Sequence, residues 1–199
     1  PHVLGVLEDA LSWVERWLEV EANGVDDNPL FDERTGEAVM GGNFYGGHVG
    51  FAMDSLKAAV ASVADLCDRQ LALLVDPRFN RGLPAGLVPP HRAEERVHHG
   101  FKALQITASA LTAEALHQTL PASSFSRSTE SHNQDKVSMG TIAATSALRV
   151  TKLAHGVAAC HLMAASQGCE LRGQLEVRPE LASRVRIVRT LSGALDDDR

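Results

Sequence analysis

Residues 48–75, HVGFAMDSLKAAVASVADLCDRQLALLV, decide the fold class of this chain. Apolar side chains recur in this stretch at gaps of three and four residues, from Val49 through Val60 to Leu74. That spacing places them along one side of an α-helix, so the stretch predicts a long amphipathic helix. A helix of this length is typical of helical bundles, in which each apolar stripe is buried against its neighbours.

The same spacing recurs in other parts of the chain. Three further stripes consist of Val3, Leu7, Leu11, Val14 and Leu18; Phe101, Leu104, Ala108, Leu111 and Ala115; and Ile142, Val150, Leu153, Val157, Cys160 and Ala164. A shorter helical pattern covers residues 181–195 before a run of aspartates, and no strand-like alternation competes with these patterns. The predicted fold class is all-α, a bundle of long helices, in one helical segment 1–199 with a tail at 173–199.

The composition argues against several classes of partner. The net charge is −6 and the 19 basic residues are scattered, so neither nucleic acid nor an anionic membrane is expected to bind. No apolar run suggests a membrane span and no leader is recognisable, which favours a cytoplasmic protein. The three cysteines are widely spaced, which predicts reduced, buried thiols and no structural metal site. Because the chain begins at Pro1, a fragment, a processed product and a separate subunit are all open.

Two long polar connections, residues 23–47 and 76–95, separate the predicted helices. Structureless connections of that length are uncommon unless they carry function or contact a partner. The first of them contains Asp27-Asn28-Pro29-Leu30 and then Gly41-Gly42-Asn43-Phe44-Tyr45-Gly46-Gly47. Glycines on both sides let the backbone bend sharply while it presents a few side chains. The alternative is a flexible loop that is anchored by a buried Phe44.

A dense polar cluster, residues 128–140, STESHNQDKVSMG, precedes the last long stripe. One interpretation is helix capping, in which Ser131, Asn133 or Asp135 accepts the free amide protons of a first turn. Capping needs only one such residue. If Glu130 and Gln134 share a helical turn, a carboxylate and an amide meet near the positive end of a helix, where they suit the charged groups of an amino acid.

Taken in order, these segments resemble the aromatic amino acid ammonia-lyases and 2,3-aminomutases, which are built around a methylidene-imidazolone electrophile (MIO). The matching segments are residues 1–5, 27–30, 42–44, 80–84, 132–135, 137–140 and 167–172. Their common order makes the resemblance specific. It implies that the chain is the C-terminal portion of a larger, lyase-like helical fold, and that the complete enzyme is a homotetramer, as members of that family are.

The resemblance also implies an activity. Family members eliminate ammonia from an aromatic amino acid to give an arylacrylate, or move the amine to the β-carbon. Their electrophile forms from an Ala-Ser-Gly tripeptide, which this chain lacks, and Leu191-Ser192-Gly193 does not stand where the family places it. The family's catalytic tyrosine and carboxylate-binding arginine also belong upstream of Pro1. The chain alone is therefore expected to be inactive without an N-terminal segment or companion chain, and no metal is expected.

Individual positions carry over from the family's motifs. Phe44 matches the phenylalanine that packs beside the electrophile, and Glu130 and Gln134 match positions near the substrate amine and the electrophile. These three are the predicted catalytic residues. The predicted substrate-binding or supporting residues beside them are Asn43, His132 and Asn133. The chain departs from the family at Tyr45, where glutamine or histidine is usual.

Two alternatives remain open beside a phenylalanine or tyrosine enzyme. Histidine ammonia-lyases usually have glutamate at the position of Gln134 and no acid at the position of Glu130, so the pair favours the phenylalanine and tyrosine branch. The alternative from another class is a non-catalytic helical assembly subunit or pseudoenzyme. The choices between lyase and aminomutase and between phenylalanine and tyrosine depend on residues outside this sequence.

Overall fold

The computed structural model describes residues 1–92 and 97–198, and within them the chain is all-α as predicted. The long helices are α1 (His2–Asn23), α2 (Gly47–Val75), α3 (Lys102–His117), α4 (Gly140–Leu171) and α5 (Pro179–Leu191). The first four coincide with the stretches in which apolar residues recur at helical spacing, because burial of one face stabilises each helix. None of the helices within the described residues combines the length and apolar character needed to cross a membrane.

A small hairpin interrupts the first polar connection, where no strand was predicted. Strands β1 (Leu30–Phe31) and β2 (Ala38–Val39) pair in antiparallel fashion, with Leu30 opposite Val39. The turn is closed by the Gly36 amide, which donates to the Asp32 carbonyl at 2.7 Å. Strands of two residues are too short to show an alternating pattern, so the sequence analysis missed them.

The chain divides into two compact units, 1–63 with 116–151 and 64–115 with 152–199, and the boundaries fall within α2, α3 and α4. The core of the first unit contains Val14, Ala52, Met53, Ala122, Ala143 and Ala147. Trp13 and Trp17 pack against this core with their ring centroids 5.0 Å apart in an edge-to-face arrangement. The alanines on α2 and α4 leave room for the bulky indoles, so small and large side chains fill this core together.

The second unit has its own core and holds the tail. Its buried residues include Leu71, Leu83, Leu87, Phe101, Ala108, Val157 and Ala164. Gln167 on α4 is 2% exposed; its amide donates to the carbonyls of Leu87 and Leu195 and accepts from the Leu195 amide, at 2.8–2.9 Å. The helical pattern predicted for 181–195 is therefore wrong at its end, since α5 stops at Leu191 and Leu195 packs on the core.

The second polar connection contains short 3-10 turns at Ala85–Leu87 and Pro90–Arg92, while its last part, residues 93–96, lies outside the described residues. The three cysteines are free thiols; Cys160 is buried, whereas Cys67 and Cys169 are half-buried. Burial raises the pKa of all three thiols, which keeps them protonated and unreactive at neutral pH.

Candidate functional site

Residues 41–47, here called the glycine rim, lead directly into α2. Gly41 and Gly46 have φ values of 84° and 65°, and Asn43 between them has a φ of 54°. Glycine adopts this left-handed backbone without steric cost, so the rim can reverse its direction twice. Phe44 is 55% exposed and Tyr45 is also exposed. The alternative of a loop anchored by a buried Phe44 is therefore wrong for this chain.

The glycine rim is packed against the Asp27–Leu30 segment. The Asp27 amide donates to the Gly42 carbonyl at 3.3 Å, and the side-chain oxygen of Asn28 accepts from the Gly41 amide at 3.3 Å. A Cβ atom on Gly42 would overlap the Leu30 side chain and the Asp27 carbonyl. Only glycine allows this close approach, so two of the sequence motifs meet at one point of the structure.

Asn43 and Tyr45 are fixed by neighbours within the same unit. The side-chain amide of Asn43 donates to a Glu21 carboxylate oxygen at 3.2 Å, and this hydrogen bond connects the glycine rim to the end of α1. The Tyr45 ring lies over Gly47, where a Cβ atom would overlap three of its ring carbons. These contacts fix Asn43 and the Tyr45 ring, the two neighbours of Phe44 in the chain.

Residues 126–139, here called the polar rim, form a loop before α4. Thr129 and Gln134 exchange backbone hydrogen bonds of 2.9 and 3.3 Å across it. Between them Glu130, Ser131 and His132 have φ values of 54°, 53° and 70°. Each such non-glycine residue costs about 1–2 kcal/mol, and strain of this kind persists only where the surroundings impose it. Such strained segments are concentrated at functional sites.

Side chains within the polar rim brace the strained segment. The Ser128 hydroxyl lies 2.7 Å from Nδ1 of His132, and the Asn133 amide donates to the Glu130 carboxylate at 3.3 Å. Glu130, His132 and Asn133 are all exposed, whereas Gln134 is half-buried. The carboxylate and imidazole at the tip are therefore held in place and accessible at the same time.

The helix-capping interpretation of the polar cluster is wrong. Helix α4 begins at Gly140, so Glu130 and Gln134 do not share a helical turn, and Ser131, Asn133 and Asp135 lie too far upstream to cap it. The Gly140 amide donates instead to the Ser138 hydroxyl at 3.3 Å. Left-handed residues at the tip and at Met139, whose φ is 58°, prevent the helix from extending towards the cluster.

The two rims enclose an open cleft of about 370 Å³. Its lining consists of Asn28, Gly41, Asn43, Phe44, Tyr45, Gln134, Asp135 and Lys136. Three of the predicted site residues, Asn43, Phe44 and Gln134, thus meet in one place. Glu130, His132 and Asn133 do not line the cleft.

Five lining residues were not among the predicted site residues: Asn28, Gly41, Tyr45, Asp135 and Lys136. All five belong to segments that the sequence analysis had singled out. Membership in those segments was the available signal. Which members face the cleft depends on the left-handed backbone of the rims, which apolar spacing does not report.

The lining suits a ligand with a planar ring and polar groups. Two aromatic faces, of Phe44 and Tyr45, offer packing area, while side-chain amides and one charge of each sign offer hydrogen bonds. Small-molecule sites combine apolar packing surface with placed polar groups, and this cleft does so with polar residues in the majority. The described residues include no group of three or more histidine, cysteine or acidic side chains placed to hold a metal ion.

A sequence profile of the family described as aromatic amino acid lyase matches residues 1–190. The chain belongs to the aromatic amino acid lyase family. Similarity to individual family members agrees with this assignment. The chain is 48% identical over 145 residues to tyrosine ammonia-lyase from Cereibacter sphaeroides, an alignment covering 72% of this chain and 27% of the relative. The resemblance on which the sequence analysis relied is thereby confirmed.

Solved structures of aromatic amino acid lyases and aminomutases share the fold of the whole chain. Tyrosine aminomutase from Streptomyces globisporus superposes with a TM-score of 0.90 at 35% identity, over 100% of this chain and 37% of that one. Histidine ammonia-lyase from Trypanosoma cruzi gives 0.91 at 32% identity, over 100% and 38%. The chain thus spans between a quarter and two fifths of the length of these relatives. Because both structures fit equally well, backbone similarity does not distinguish their substrates.

Proposed function

We propose that this chain is the C-terminal part of an MIO-dependent ammonia-lyase or aminomutase that acts on tyrosine or phenylalanine. The observation that carries the proposal is the meeting of Asn43, Phe44 and Gln134, from two separate segments, in one cleft of a lyase-family chain. The similarity to a tyrosine ammonia-lyase supports the branch, as does the pair of Glu130 and Gln134.

The cleft fits a planar electrophile of the MIO type. Phe44 presents an exposed aromatic face at a cleft that the half-buried Gln134 also lines. When bound, MIO supplies an electrophilic carbon that takes up the substrate amine and makes it a good leaving group. We propose that an upstream Ala-Ser-Gly, in the same chain or a companion chain, supplies this group.

The roles of the chain's own residues follow from their positions. Phe44 packs against the planar group and excludes water, while Asn43, held by Glu21, fixes the backbone that carries Phe44. Gln134 uses its amide to hydrogen-bond near the substrate amine. Asp135 and Lys136 add charge beside it, where they contribute to holding an amino acid.

We assign the tip of the polar rim a role in the completed site. Glu130 is exposed and oriented by Asn133, so its carboxylate is available to a cationic amine that approaches from an upstream segment. His132, held by Ser128, supports the strained backbone next to it. A direct prediction follows: in the complete enzyme Glu130 faces the substrate amine and not bulk solvent.

Assembly with further chains is part of the proposal. Exposed large apolar side chains on the helices of the first unit include Val6, Leu11, Val20, Phe51 and Ile142. Apolar surface of this extent is typical of faces that other chains cover, and we propose a homotetramer with the upstream segments in place. The free cysteines support a cytoplasmic location.

The test is expression of the complete reading frame, followed by incubation with tyrosine, phenylalanine and histidine. We expect an arylacrylate or a β-amino acid from tyrosine or phenylalanine, detected by absorbance and chromatography, and no turnover by residues 1–199 alone. A β-amino acid would identify an aminomutase. Urocanate as the main product would contradict the assignment to the phenylalanine and tyrosine branch. The absence of any product would support the non-catalytic alternative.

A further inference from the structure

A buried ion pair lies on α2, one helical turn apart, away from the cleft lining. Nζ of Lys57 is 2.8 Å from a carboxylate oxygen of Asp54, and the two residues are 1% and 7% exposed. Removing two charges from water carries a large desolvation cost, which their mutual attraction offsets only when other hydrogen bonds complete the geometry. The partners that complete it therefore indicate what the pair holds in place.

Asp54 binds the start of the short 3-10 helix Ala122–Phe125. Its carboxylate accepts from the amides of Ala122 and Ser123 at 3.0 and 2.9 Å and from the Ser123 hydroxyl at 2.7 Å. That helix has no capping side chain of its own, so Asp54 takes over this function from another helix. Burial alone would raise the pKa of Asp54, but hydrogen bonds from Lys57 and Ser123 outweigh it and lower the pKa, which keeps the carboxylate ionised.

Lys57 binds Leu120, two residues before the 3-10 helix. Its Nζ donates to the Leu120 carbonyl at 2.8 Å in addition to its bond with Asp54. Two charged side chains of one helix thus fix residues 120–123 through four hydrogen bonds, and their own ion pair joins the two side chains. Hydrogen bonds are directional, so this set fixes the position of residues 120–123 on α2 more closely than apolar packing alone would.

The segment fixed in this way is the base of the polar rim. Ser126 directly follows the 3-10 helix that begins in this segment, and its hydroxyl accepts from the Val137 amide at 3.1 Å, which joins the two ends of the polar rim. At the other end, Gly50 on α2 lies so close under the Ser138 carbonyl that a Cβ atom would overlap it. The polar rim is therefore held against α2 at both ends, by the hydrogen bonds of Asp54 and Lys57 before its start and by the close packing of Gly50 under Ser138 at its end.

The glycine rim is attached to the same helix, because α2 begins at Gly47. We propose that Asp54 and Lys57 are positioning residues that set the separation between Phe44 on one rim and Gln134 on the other. The proposal rests on the proposed function, since it assigns the pair a part in turnover. A shift of about 1 Å in a reacting group can lower turnover about a hundredfold, so a small change at the base of the rim is expected to be visible in kcat.

Ser123→Ala in the complete enzyme is the test, with Ser109→Ala as a matched control. Both serines are half-buried, and each donates to a buried carboxylate: Ser123 to Asp54 at 2.7 Å and Ser109 to Asp68 at 2.8 Å. Asp68 is 1% exposed and belongs to the other unit, which lacks the cleft. The Ser109 hydroxyl also accepts from Gln105 at 2.9 Å and from Arg69 at 3.3 Å, so Ser109→Ala removes at least as many hydrogen bonds as Ser123→Ala, yet only Ser123 supports a rim. Ser123→Thr, which retains a hydroxyl, serves as the rescue variant.

We expect Ser123→Ala to lower kcat for tyrosine by about tenfold, with KM changed less than about twofold, because the rim shifts while the aromatic wall stays in place. Ser109→Ala should leave kcat within about twofold of the wild type at a similar loss of Tm. Ser123→Thr should recover most of kcat. Amide hydrogen exchange in residues 126–137 should accelerate in Ser123→Ala alone, since a loosened base exposes that loop.

The outcomes separate the two hypotheses. If the wild-type enzyme turns over but Ser123→Ala and Ser109→Ala lower kcat equally, the pair is structural only and the positioning inference is wrong. If the wild type makes no product, the proposed function fails, and hydrogen exchange still tests the positioning contact. Unchanged exchange in residues 126–137 of Ser123→Ala would overturn it without any activity measurement.

Discussion

Both rims of the cleft contain residues in the left-handed backbone conformation, but the residue types that adopt it differ between the two rims. The glycine rim places glycine at Gly41 and Gly46, where the conformation is free of steric cost. The polar rim places Glu130, Ser131 and His132 in that conformation, and side-chain and backbone hydrogen bonds hold them there. One rim is thus specified by its own sequence, and the other by what surrounds it.

This difference bears on the roles that we propose for the two rims. The glycine rim has a single non-glycine residue, Asn43, in the left-handed conformation, so it bends with less strain, but it presents few side chains, here chiefly Asn43, Phe44 and Tyr45. The polar rim contains charged and polar side chains at successive positions, and its strain is offset by the contacts that orient them. A change that removes glycine from the first rim, or adds glycine to the second, tests this contrast directly. All predictions below refer to the complete enzyme with tyrosine as substrate.

The largest effect is expected from Gly42→Ala. The new Cβ would overlap both the Leu30 side chain and the Asp27 carbonyl, and the backbone atom cannot move aside as a flexible side chain would. Displacement of the glycine rim should lower kcat/KM by about a hundredfold. Gly5→Ala is the control: Gly5 lies within α1 with no atom near the new Cβ, so activity should be unchanged and stability should rise by up to about 1 kcal/mol.

Gln134→Glu should have the next largest effect. It replaces a neutral amide of the polar rim by a carboxylate directly beside Asp135, and it introduces the residue usual in histidine enzymes. We expect kcat/KM for tyrosine to fall about tenfold or more, because an added charge in a partly buried site weakens recognition of the original substrate. Gln174→Glu, at an exposed tail position, should change kcat/KM by less than twofold. Equal activity of the two variants would remove Gln134 from the site.

A smaller effect is expected from Gly47→Ala. Its Cβ would overlap the Tyr45 ring, which is a side chain and can turn towards solvent. KM should therefore increase roughly threefold while kcat changes little, since one wall of the cleft moves and the backbone does not. Tyr45→Ala combined with Gly47→Ala gives a check: once the ring is absent, the second substitution should have no further effect on KM.

Ser131→Gly should give the smallest change and the opposite sign. Relief of the left-handed conformation contributes about 1–2 kcal/mol, and the greater entropy of glycine in the unfolded chain takes back about 0.5–1 kcal/mol. The free energy of unfolding should rise by roughly 0.5 kcal/mol, seen as a slightly higher Tm. Ser183→Gly within α5 should lower it by a similar amount. A lower Tm for Ser131→Gly would show that the rim is not strained.

The long helices could be predicted from the sequence because burial of one face repeats with the helical period. α2 and most of α4 were recovered in this way, whereas the end of the last helical pattern was wrong, because Leu195 binds Gln167 beyond the end of α5. The hairpin of Leu30–Phe31 and Ala38–Val39 is too short to produce a repeating pattern in the sequence. The polar cluster was assigned to the start of α4 because nothing in local sequence announces left-handed backbone at non-glycine residues.

The site was predicted in part. Asn43, Phe44 and Gln134 came from motif resemblance and do line the cleft, whereas Glu130, His132 and Asn133 lie at the exposed tip of the polar rim, and their roles stay predictions. A motif records which residues occur together, while the cleft depends on which side chains a bent loop turns inward. The contacts that bend it, such as Asp54 with Ser123, are distant in sequence and have no signature in a single chain.

The amide of Gln167 has a consequence for protein engineering. Its side-chain amide donates one hydrogen bond to the Leu195 carbonyl and accepts one from the Leu195 backbone amide, as paired residues of neighbouring strands do. A further donated bond goes to the Leu87 carbonyl. A grip on main-chain atoms is indifferent to the identity of the residue that is held. We therefore expect that residues 192–198 can be exchanged for those of homologues with α4 left unaltered, provided that an apolar residue with a free backbone amide reaches position 195.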